Sequence, residues 1–280
     1  MKEFRADIHC HSDCSDGSDS PLLLVELAAQ IGLLGLSITD HDTIEAYTPE
    51  LFEKAKELNL QLLTGIELST EISMQSVHVL GYGIDHESPS LQKFLEELQR
   101  RRTSRNRMIL DNLARKNMPI SEDELFAFAA RLEGKKTIGR PHIAALMVQK
   151  GYVGTWQQAF EGYLKQGASC YVSGIKFSPL DAIEQIRKAG GKAILAHPHF
   201  LRKGHALREI LALPFDGIEC HYARLPKAQE APWLELAEKK GWIATGGSDY
   251  HGTFKPNLSL GCSWVNETVF AKLQPRSKSS

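Results

Sequence analysis

No apolar run in this 280-residue chain approaches the length of a membrane span, and the opening stretch, Met1 to Asp7, lacks the apolar core of a signal peptide. No membrane partner is expected. Cysteine is scarce. The five thiols, Cys10, Cys14, Cys170, Cys220 and Cys262, are odd in number and scattered, without the spacing of a disulfide framework. Free thiols in a reducing cytoplasm are the expectation. Neither charge sign dominates: 33 lysines and arginines against 34 aspartates and glutamates give a formal net charge of -1. No global positive field therefore advertises nucleic acid, and any such substrate must be gripped locally. Internal repeats and low-complexity linkers are absent too. What remains is an ordinary globular composition, 42% hydrophobic and 24% charged, long enough for one large α/β domain or a domain with an insertion.

What the chain does have is histidine set beside acid. Asp7-Ile8-His9-Cys10-His11-Ser12-Asp13-Cys14-Ser15-Asp16-Gly17 contains a His-x-His at an expected strand end. Side chains two apart on a strand share a face, so His9 and His11 point the same way, and Asp16 on the following polar turn can close over the same point. Cys10, out of phase with both, is expected to face the core. Thr39-Asp40-His41-Asp42 and Gly247-Ser248-Asp249-Tyr250-His251 repeat the theme. Imidazole with carboxylate is the ligand set of zinc, manganese or iron, and the lack of thiolate spacing argues against a structural zinc.

Taken in order, Arg5–His9 reads as a strand and Ser20-Pro21 starts a helix over Leu22–Ile31. A strand at Gly35–Thr39, a helix at Pro49–Leu58, a strand at Gln61–Ile66 ending at Glu67 and a strand at Val77–Gly83 follow. Strand alternating with helix predicts parallel βαβ units. From Ser88 to about Leu164 the chain reads as helices only: Leu91–Lys116, Ser121–Arg131 with the capping pair Ser121 and Glu124, and a helix opened by Gly139-Arg140-Pro141-His142. Alternation then resumes. A helix from Ser178 to Ala189 leads to a strand at Lys192–Ala196 ending at His197. A helix at His205–Leu211, a strand at Asp216–Cys220, a helix at Lys227–Lys239 and a strand at Trp242–Thr245 complete the set. Residues 274–280 are polar and expected to be a disordered tail.

His9, His41, Glu67, His197 and Asp249 each fall at the C-terminal end of an expected strand, the rim on which a parallel barrel assembles its active site. His78 lies within a strand, and His11, Asp16 and His251 sit on attached loops. The motifs Asp7-Ile8-His9-Cys10-His11-Ser12, Ser37-Ile38-Thr39-Asp40-His41-Asp42, Gly65-Ile66-Glu67, Val77-His78-Val79-Leu80-Gly81, Ala196-His197-Pro198 and Gly247-Ser248-Asp249-Tyr250-His251, in this order, resemble those of the PHP (polymerase and histidinol phosphatase) superfamily. The resemblance covers residues 5–86 and 170–265. The arginine-bearing insertion with Gly139-Arg140-Pro141-His142 resembles the stand-alone branch containing 3′,5′-nucleoside bisphosphate phosphatase and 5′-3′ exoribonuclease AM.

The resemblance implies an α/β fold, a distorted (β/α)7-type PHP barrel with a helical insertion domain. Residues 1–87 and 169–273 would form the barrel and 88–168 a substrate-binding insertion. It implies three divalent ions, Mn2+ foremost, with Fe2+ or Zn2+ also suited. His9, His11, Glu67 and Asp249 would hold one, Asp16, His41 and His251 a second, and Glu67, His78 and His197 a third, with Glu67 as the bridge. Such ions can turn water into hydroxide near neutral pH and neutralise a phosphoryl group, with Glu67 and Asp16 at the reacting centre. His199 departs from the family pattern, as an extra substrate contact or general acid, or as a solvent-facing histidine. Arg102 and Arg105 share a helix face, and Arg140 offers a further fork for phosphate, with His142 beside it. Arg100, Arg101 and Arg107 are expected on a solvated face.

The expected activity is hydrolysis of the 3′-phosphate of nucleoside 3′,5′-bisphosphates, or 5′ to 3′ trimming of short single-stranded RNA. A histidinol phosphatase-like phosphomonoesterase is the first alternative, and the arginine insertion speaks against it. A polymerase-associated or regulatory binding module is the second; it predicts missing ligands, whereas all nine positions are filled. No obligate protein partner is evident.

Overall fold

Pro21, Pro49, Pro89 and Pro179 each stand in the first turn of a helix, where a missing N–H leaves no bond unmade. Three follow a hydroxyl that accepts a backbone N–H: Ser20 from Leu23, Thr48 from Leu51 and Ser178 from Asp181. The computed structural model describes residues 3–130, 137–173 and 177–275 and alternates strand and helix around these caps. Strand β1 (Ala6–Cys10) leads through α1 (Pro21–Gln30) to β2 (Gly35–Ile38), then through α2 (Pro49–Glu57) to β3 (Gln61–Leu62), β4 (Gly65–Ile72) and β5 (Gln75–Tyr82). Helices α3 (Pro89–Ala114), α4 (Glu122–Ala130), α5 (Arg140–Gln149) and α6 (Trp156–Ala159) come next, the last running into a π-helical turn at Phe160–Leu164. Then follow α7 (Pro179–Lys188), β6 (Lys192–Leu195), α8 (His205–Ala212), β7 (Gly217–Tyr222), α9 (Lys227–Lys240), β8 (Ile243–Gly247) and α10 (Glu267–Leu273). Arg131, expected at the end of α4, and 276–280 of the expected tail lie outside the described residues; Gln274 caps α10.

The fold is mixed α/β. One sheet has the parallel order β1-β2-β3, and the other the order β4-β5-β6-β7-β8. The two meet along both margins. Beyond β8, Asp249 N–H donates to His9 O at 2.7 Å and His11 N–H to Tyr250 O at 2.9 Å. At the other margin Glu67 N–H donates to Asp40 O at 3.2 Å and Asp42 N–H to Glu67 O at 3.0 Å. Both seams are thus stitched where the histidine motifs lie.

Two expectations need correction. The strand expected over Gln61–Ile66 is broken between Leu62 and Gly65, so β3 pairs with β2 and β4 belongs to the second sheet. β4 and β5 are not parallel neighbours but an antiparallel hairpin, in register from Gly65 opposite Tyr82 to Ile72 opposite Gln75, and β5 is antiparallel to β6 as well. The cause is a two-residue turn, Ser73-Met74, with φ of 47° and 58°. Such turns usually announce themselves through Asn-Gly or Asp-Gly, and Ser-Met gives no such signal. Glu67 is consequently the third residue of an eight-residue strand rather than a strand terminus.

Helix α3 joins two cores. Its first half buries Leu91, Phe94, Leu95 and Leu98 against α7 (Ile183, Ile186) and the second sheet (Val77, Val79, Leu195). Its second half buries Ile109, Leu110 and Leu113 in a separate cluster with Leu125, Ile143, Met147 and Leu164. Each such aliphatic side chain contributes about 1.5–3 kcal/mol on full burial, so the helix is anchored at both ends. That anchoring fixes the residues between, Gln99 to Arg105, over the seam at Asp42. No helix among the described residues is long and apolar enough to cross a membrane.

Candidate functional site

Glu67 is the hub. Its Oε2 lies 3.3 Å from His9 Nε2, 3.1 Å from His11 Nε2 and 3.3 Å from His41 Nδ1. Its Oε1 lies 2.8 Å from His78 Nδ1 and 2.9 Å from His197 Nε2. Asp249 Oδ1 stands 3.5 Å from His9 Nε2 and 3.2 Å from His11 Nε2, while Oδ2 accepts Tyr222 Oη and Lys255 Nζ, both at 2.5 Å. Asp16 Oδ1 is 3.4 Å from His251 Nε2 and 3.7 Å from His11 Nδ1, and its Oδ2 is 3.9 Å from His41 Nε2. The chain reaches this density by close approach of β8 to β1: a Cβ on Gly247 would stand 2.4 Å from His9 Cβ. Asp40 folds the loop carrying Asp16, accepting Ser12 N–H at 2.8 Å and the Ser12 and Ser15 hydroxyls at 2.5 Å.

The donor set fits divalent cations on three counts. His9 Nδ1 donates to Glu219 Oε1 at 2.7 Å and His251 Nδ1 to Asp249 O at 2.8 Å, so each turns its Nε2 lone pair into the cluster. Both nitrogens of His11 and Nδ1 of His41 are buried without a hydrogen-bond partner among the described residues, despite carboxylate oxygens 3.1–3.7 Å away, so they aim between the oxygens rather than at them. Three groups have ligand atoms all within 4.8 Å of one another and could each hold an ion: His9, His11, Glu67 and Asp249; His11, Asp16, His41 and His251; His41, Glu67 and His78. The first matches the expected set. The second adds His11, and the third has His41 where His197 was expected, although His197 also reaches Glu67.

Burial pushes the carboxyls of Asp16, Glu67 and Asp249 up, but their neighbours outweigh it. His41 and His251 act on Asp16, His41 and His78 on Glu67, and Lys255 and His251 on Asp249, and all three end well below the usual carboxylate range. Burial pushes His41 down to about 3, keeping its ring neutral and available as a ligand. The backbone is strained at this rim: Asp42, His197 and Asp249 have φ of 54°, 26° and 51°. Non-glycine residues in that region cost about 1–3 kcal/mol each and persist where surrounding structure dictates them.

The arginines converge beside this cluster. Arg102 pairs with Asp42 Oδ2 and donates to Ser69 Oγ at 3.0 Å. Arg105, only 6% exposed, donates its Nε to Val172 O at 2.9 Å and leaves Nη2 without a partner among the described residues. Arg140 donates to Leu164 O at 3.0 Å. The guanidinium carbons of Arg105 and Arg140 lie 5.2 and 5.4 Å from the centre of the Tyr171 ring. Burial first, then Arg105 and Arg102, pull Arg140 down to about 10, and the charge of Asp16 opposes them. His142 Nδ1 accepts Gly139 N–H at 3.2 Å and so holds the turn that bears Arg140. Arg100 and Arg101 pair with Glu97 and Arg107 with Glu122, away from the cluster. His199 packs 4.4 Å from Tyr222 between ring centres, and burial pulls it down to about 4, so at neutral pH it carries no proton to donate as imidazolium. Cys10 faces the core and donates to Ser37 O.

Sequence reasoning overlooks Glu219, Asp7, Tyr222 and Lys255. Glu219 is buried in β7, accepting His9 Nδ1–H and, at 2.7 Å, His197 N–H. The available signal was an acid inside the otherwise apolar strand Gly217-Ile218-Glu219-Cys220, since an unpaired buried carboxylate is too costly to be idle. Asp7 accepts Ser248 N–H at 3.0 Å and Gly261 N–H at 2.8 Å, fixing the loop that presents Asp249.

Residues 7–151 match the PHP domain family. The chain belongs to that family and is a metal-dependent phosphoester hydrolase. Its relatives include a 5′-3′ exoribonuclease from Haemophilus influenzae, 34% identical across 92% of this chain and 91% of that protein. A 3′,5′-nucleoside bisphosphate phosphatase from Chromobacterium violaceum is 30% identical across 91% and 90% respectively. Among solved structures, a proposed metal-dependent phosphoesterase from Bifidobacterium adolescentis superposes with a TM-score of 0.84 at 31% identity, covering 96% of this chain and 94% of that one.

Proposed function

We propose that the enzyme removes the 3′-phosphate of nucleoside 3′,5′-bisphosphates and trims short 5′-phosphorylated RNA from its 5′ end. The observation that carries this reading is the group Arg102, Arg105 and Arg140 beside the histidine and carboxylate cluster, with Arg105 buried and the other two partly exposed. Arg102 is already paired with Asp42, so it is the crowding of Arg105 and Arg140 around Tyr171 that favours an anion, and guanidinium forks suit a phosphate dianion. A simple monoester needs no such second anchor. The exoribonuclease and bisphosphate phosphatase names of the relatives point the same way.

In this reading the 5′-phosphate sits among the arginines and the phosphate on O3′ lies over Glu67. His9, His11, Glu67 and Asp249 would hold one divalent ion, Asp16, His41 and His251 a second, and Glu67, His78 and His197 a third, with Mn2+ favoured and Fe2+ or Zn2+ suited. Bound there, the ions would supply Lewis acidity and neutralise phosphoryl charge. The chain's own part is orientation. The arginines fix the distal phosphate, so its binding energy goes into aligning the reacting one. Glu219 and Asp7 hold the rings and the Asp249 loop in place, and Asp40 holds Asp16. Water adds to phosphorus, the P–O3′ bond breaks, and O3′ leaves with a proton. The products are a 5′-mononucleotide and either phosphate or a shortened RNA bearing a new 5′-phosphate.

The two stitched sheets support a distorted (β/α)7-type barrel over 1–87 and 169–273. The separate cluster around Ile143 and Met147 supports a helical insertion over 88–168. Five free thiols support a cytoplasmic location. The test is phosphate and product release by manganese-loaded protein, with and without chelator, on adenosine 3′,5′-bisphosphate, AMP, histidinol phosphate and 5′-phosphorylated RNA. The reading expects chelator-sensitive turnover of the first and last. Brisk cleavage of histidinol phosphate with an inert bisphosphate would overturn it.

A further inference from the structure

Phe200 is 65% exposed, yet it sits on the turn Pro198–Phe200 directly after His197. Single exposed aromatics are common on surfaces. This one is continuous with the ligand cluster. Its ring centre lies 4.1 Å from that of His199, 5.6 Å from His197 and 5.5 Å, edge to face, from Tyr222. Tyr222 in turn is buried, with its hydroxyl on Asp249. The result is an aromatic wall whose inner end touches the proposed metal ligands and whose outer ring meets water.

Its position relative to the arginines gives it a direction. Arg102 enters at Asp42, next to His41. From His41 the rings step to His78 at 4.9 Å, to His197 at 5.1 Å and to Phe200 at 5.6 Å. Arg102 thus meets the imidazoles grouped around Glu67 at His41, while Phe200 joins them at His197, with His78 between the two. A nucleoside bisphosphate spans only the arginine end and the middle, because it stops at the phosphate on O3′. A longer chain continues past that phosphate through O5′ of the next nucleotide, toward the aromatic wall.

We propose that Phe200, backed by His199, is the stacking seat for the base of the second nucleotide of 5′-phosphorylated RNA. The assignment rests on the functional reading above and adds to it a seat for the second nucleotide of the RNA substrate. Hydrolysis proceeds as before: water adds to phosphorus, P–O3′ breaks, and O3′ of the first nucleotide takes the proton. The phosphate stays on the second nucleotide, which remains stacked on Phe200. Stacking on an aromatic face tolerates every base, so this seat would accept any second nucleotide.

The experiment compares wild type, Phe200→Ala and Phe200→Trp on 5′-phosphorylated diadenylate and on adenosine 3′,5′-bisphosphate. It measures kcat/KM with metal, and equilibrium binding to chelator-treated protein. The expected result is a loss of roughly 5- to 150-fold in kcat/KM and affinity for the dinucleotide with Ala, less than twofold change on the bisphosphate, and recovery with Trp. An undiminished dinucleotide, or equal losses on both compounds, overturns the assignment. Wild type that turns over neither compound would overturn the catalytic reading alone, since the binding measurements still decide the role of Phe200.

Discussion

Glu67→Gln replaces one oxygen of a carboxylate touched by five imidazoles and removes its charge. Whichever way the amide turns, its NH2 faces lone pairs. On one side are His78 and His197 at 2.8 and 2.9 Å; on the other are His9, His11 and His41 at 3.1–3.3 Å. One flank of the cluster thus loses its shared ligand oxygen, and the other keeps a neutral one. Removing an outer partner of a metal ligand commonly costs 10–100-fold in affinity, so losing the shared ligand itself should cost at least about 100-fold, or about 2.7 kcal/mol. Turnover should fall at least as far, since an electrostatic stabiliser at the reacting centre is typically worth about 100- to 1,000-fold. The change is isosteric and Glu67 lies in a fully paired strand, so the fold should survive. Metal content by elemental mass spectrometry, phosphate release and thermal melting on one preparation separate these effects. A folded Glu67→Gln protein with normal metal content and near-normal rate would refute the placement of Glu67 at the hub.

Arg140→Ala should weaken kcat/KM on adenosine 3′,5′-bisphosphate by about ten- to a hundredfold, the worth of a charge-assisted contact, while adenosine 3′-monophosphate, which lacks the 5′-phosphate, changes little; steady-state kinetics on both compounds decide it. Arg102→Ala should behave likewise with an added loss of stability, because Asp42 is left unpaired. Glu219→Gln should lower metal affinity about 10–100-fold by loosening His9 and His197, measured by competition with a chelating dye, and unchanged affinity would remove its positioning role. Burial pushes Asp42 up, but Arg102 and Ser69 N–H hold its carboxyl below the ordinary 3.8. Its folded value is depressed, so its stabilisation is present above pH 3.8 and is lost as pH falls through the folded value. Asp42→Asn should therefore be destabilised at pH 7, with the gap to wild type narrowing in denaturant melts as pH falls below about 4.

How much of this could be read from the sequence depended on how local the signal was. His9, His11 and Asp16 lie within one short motif, and His41, Asp249 and His251 sit at seams that strand alternation already marks. Proline in the first helical turn and hydroxyl caps fixed most helix starts to within a residue or two. The hairpin of β4 and β5 was hidden because Ser73-Met74 adopts left-handed backbone without glycine or asparagine. Glu219 was hidden because its partners are 210 residues away for His9 and 22 for His197, contacts that periodicity does not report. The geometry at His41 was equally out of reach. Ring orientation decides that it closes toward Glu67 and His78, and spacing along the chain carries no ring orientation.

The most direct test of the account is which phosphate leaves adenosine 3′,5′-bisphosphate. Metal-loaded enzyme would be given this compound and the first nucleotide product identified by chromatography against authentic standards. Arginines holding the 5′-phosphate and Glu67 beneath the 3′-phosphate predict adenosine 5′-monophosphate plus inorganic phosphate. Adenosine 3′-monophosphate as the first product would contradict that orientation.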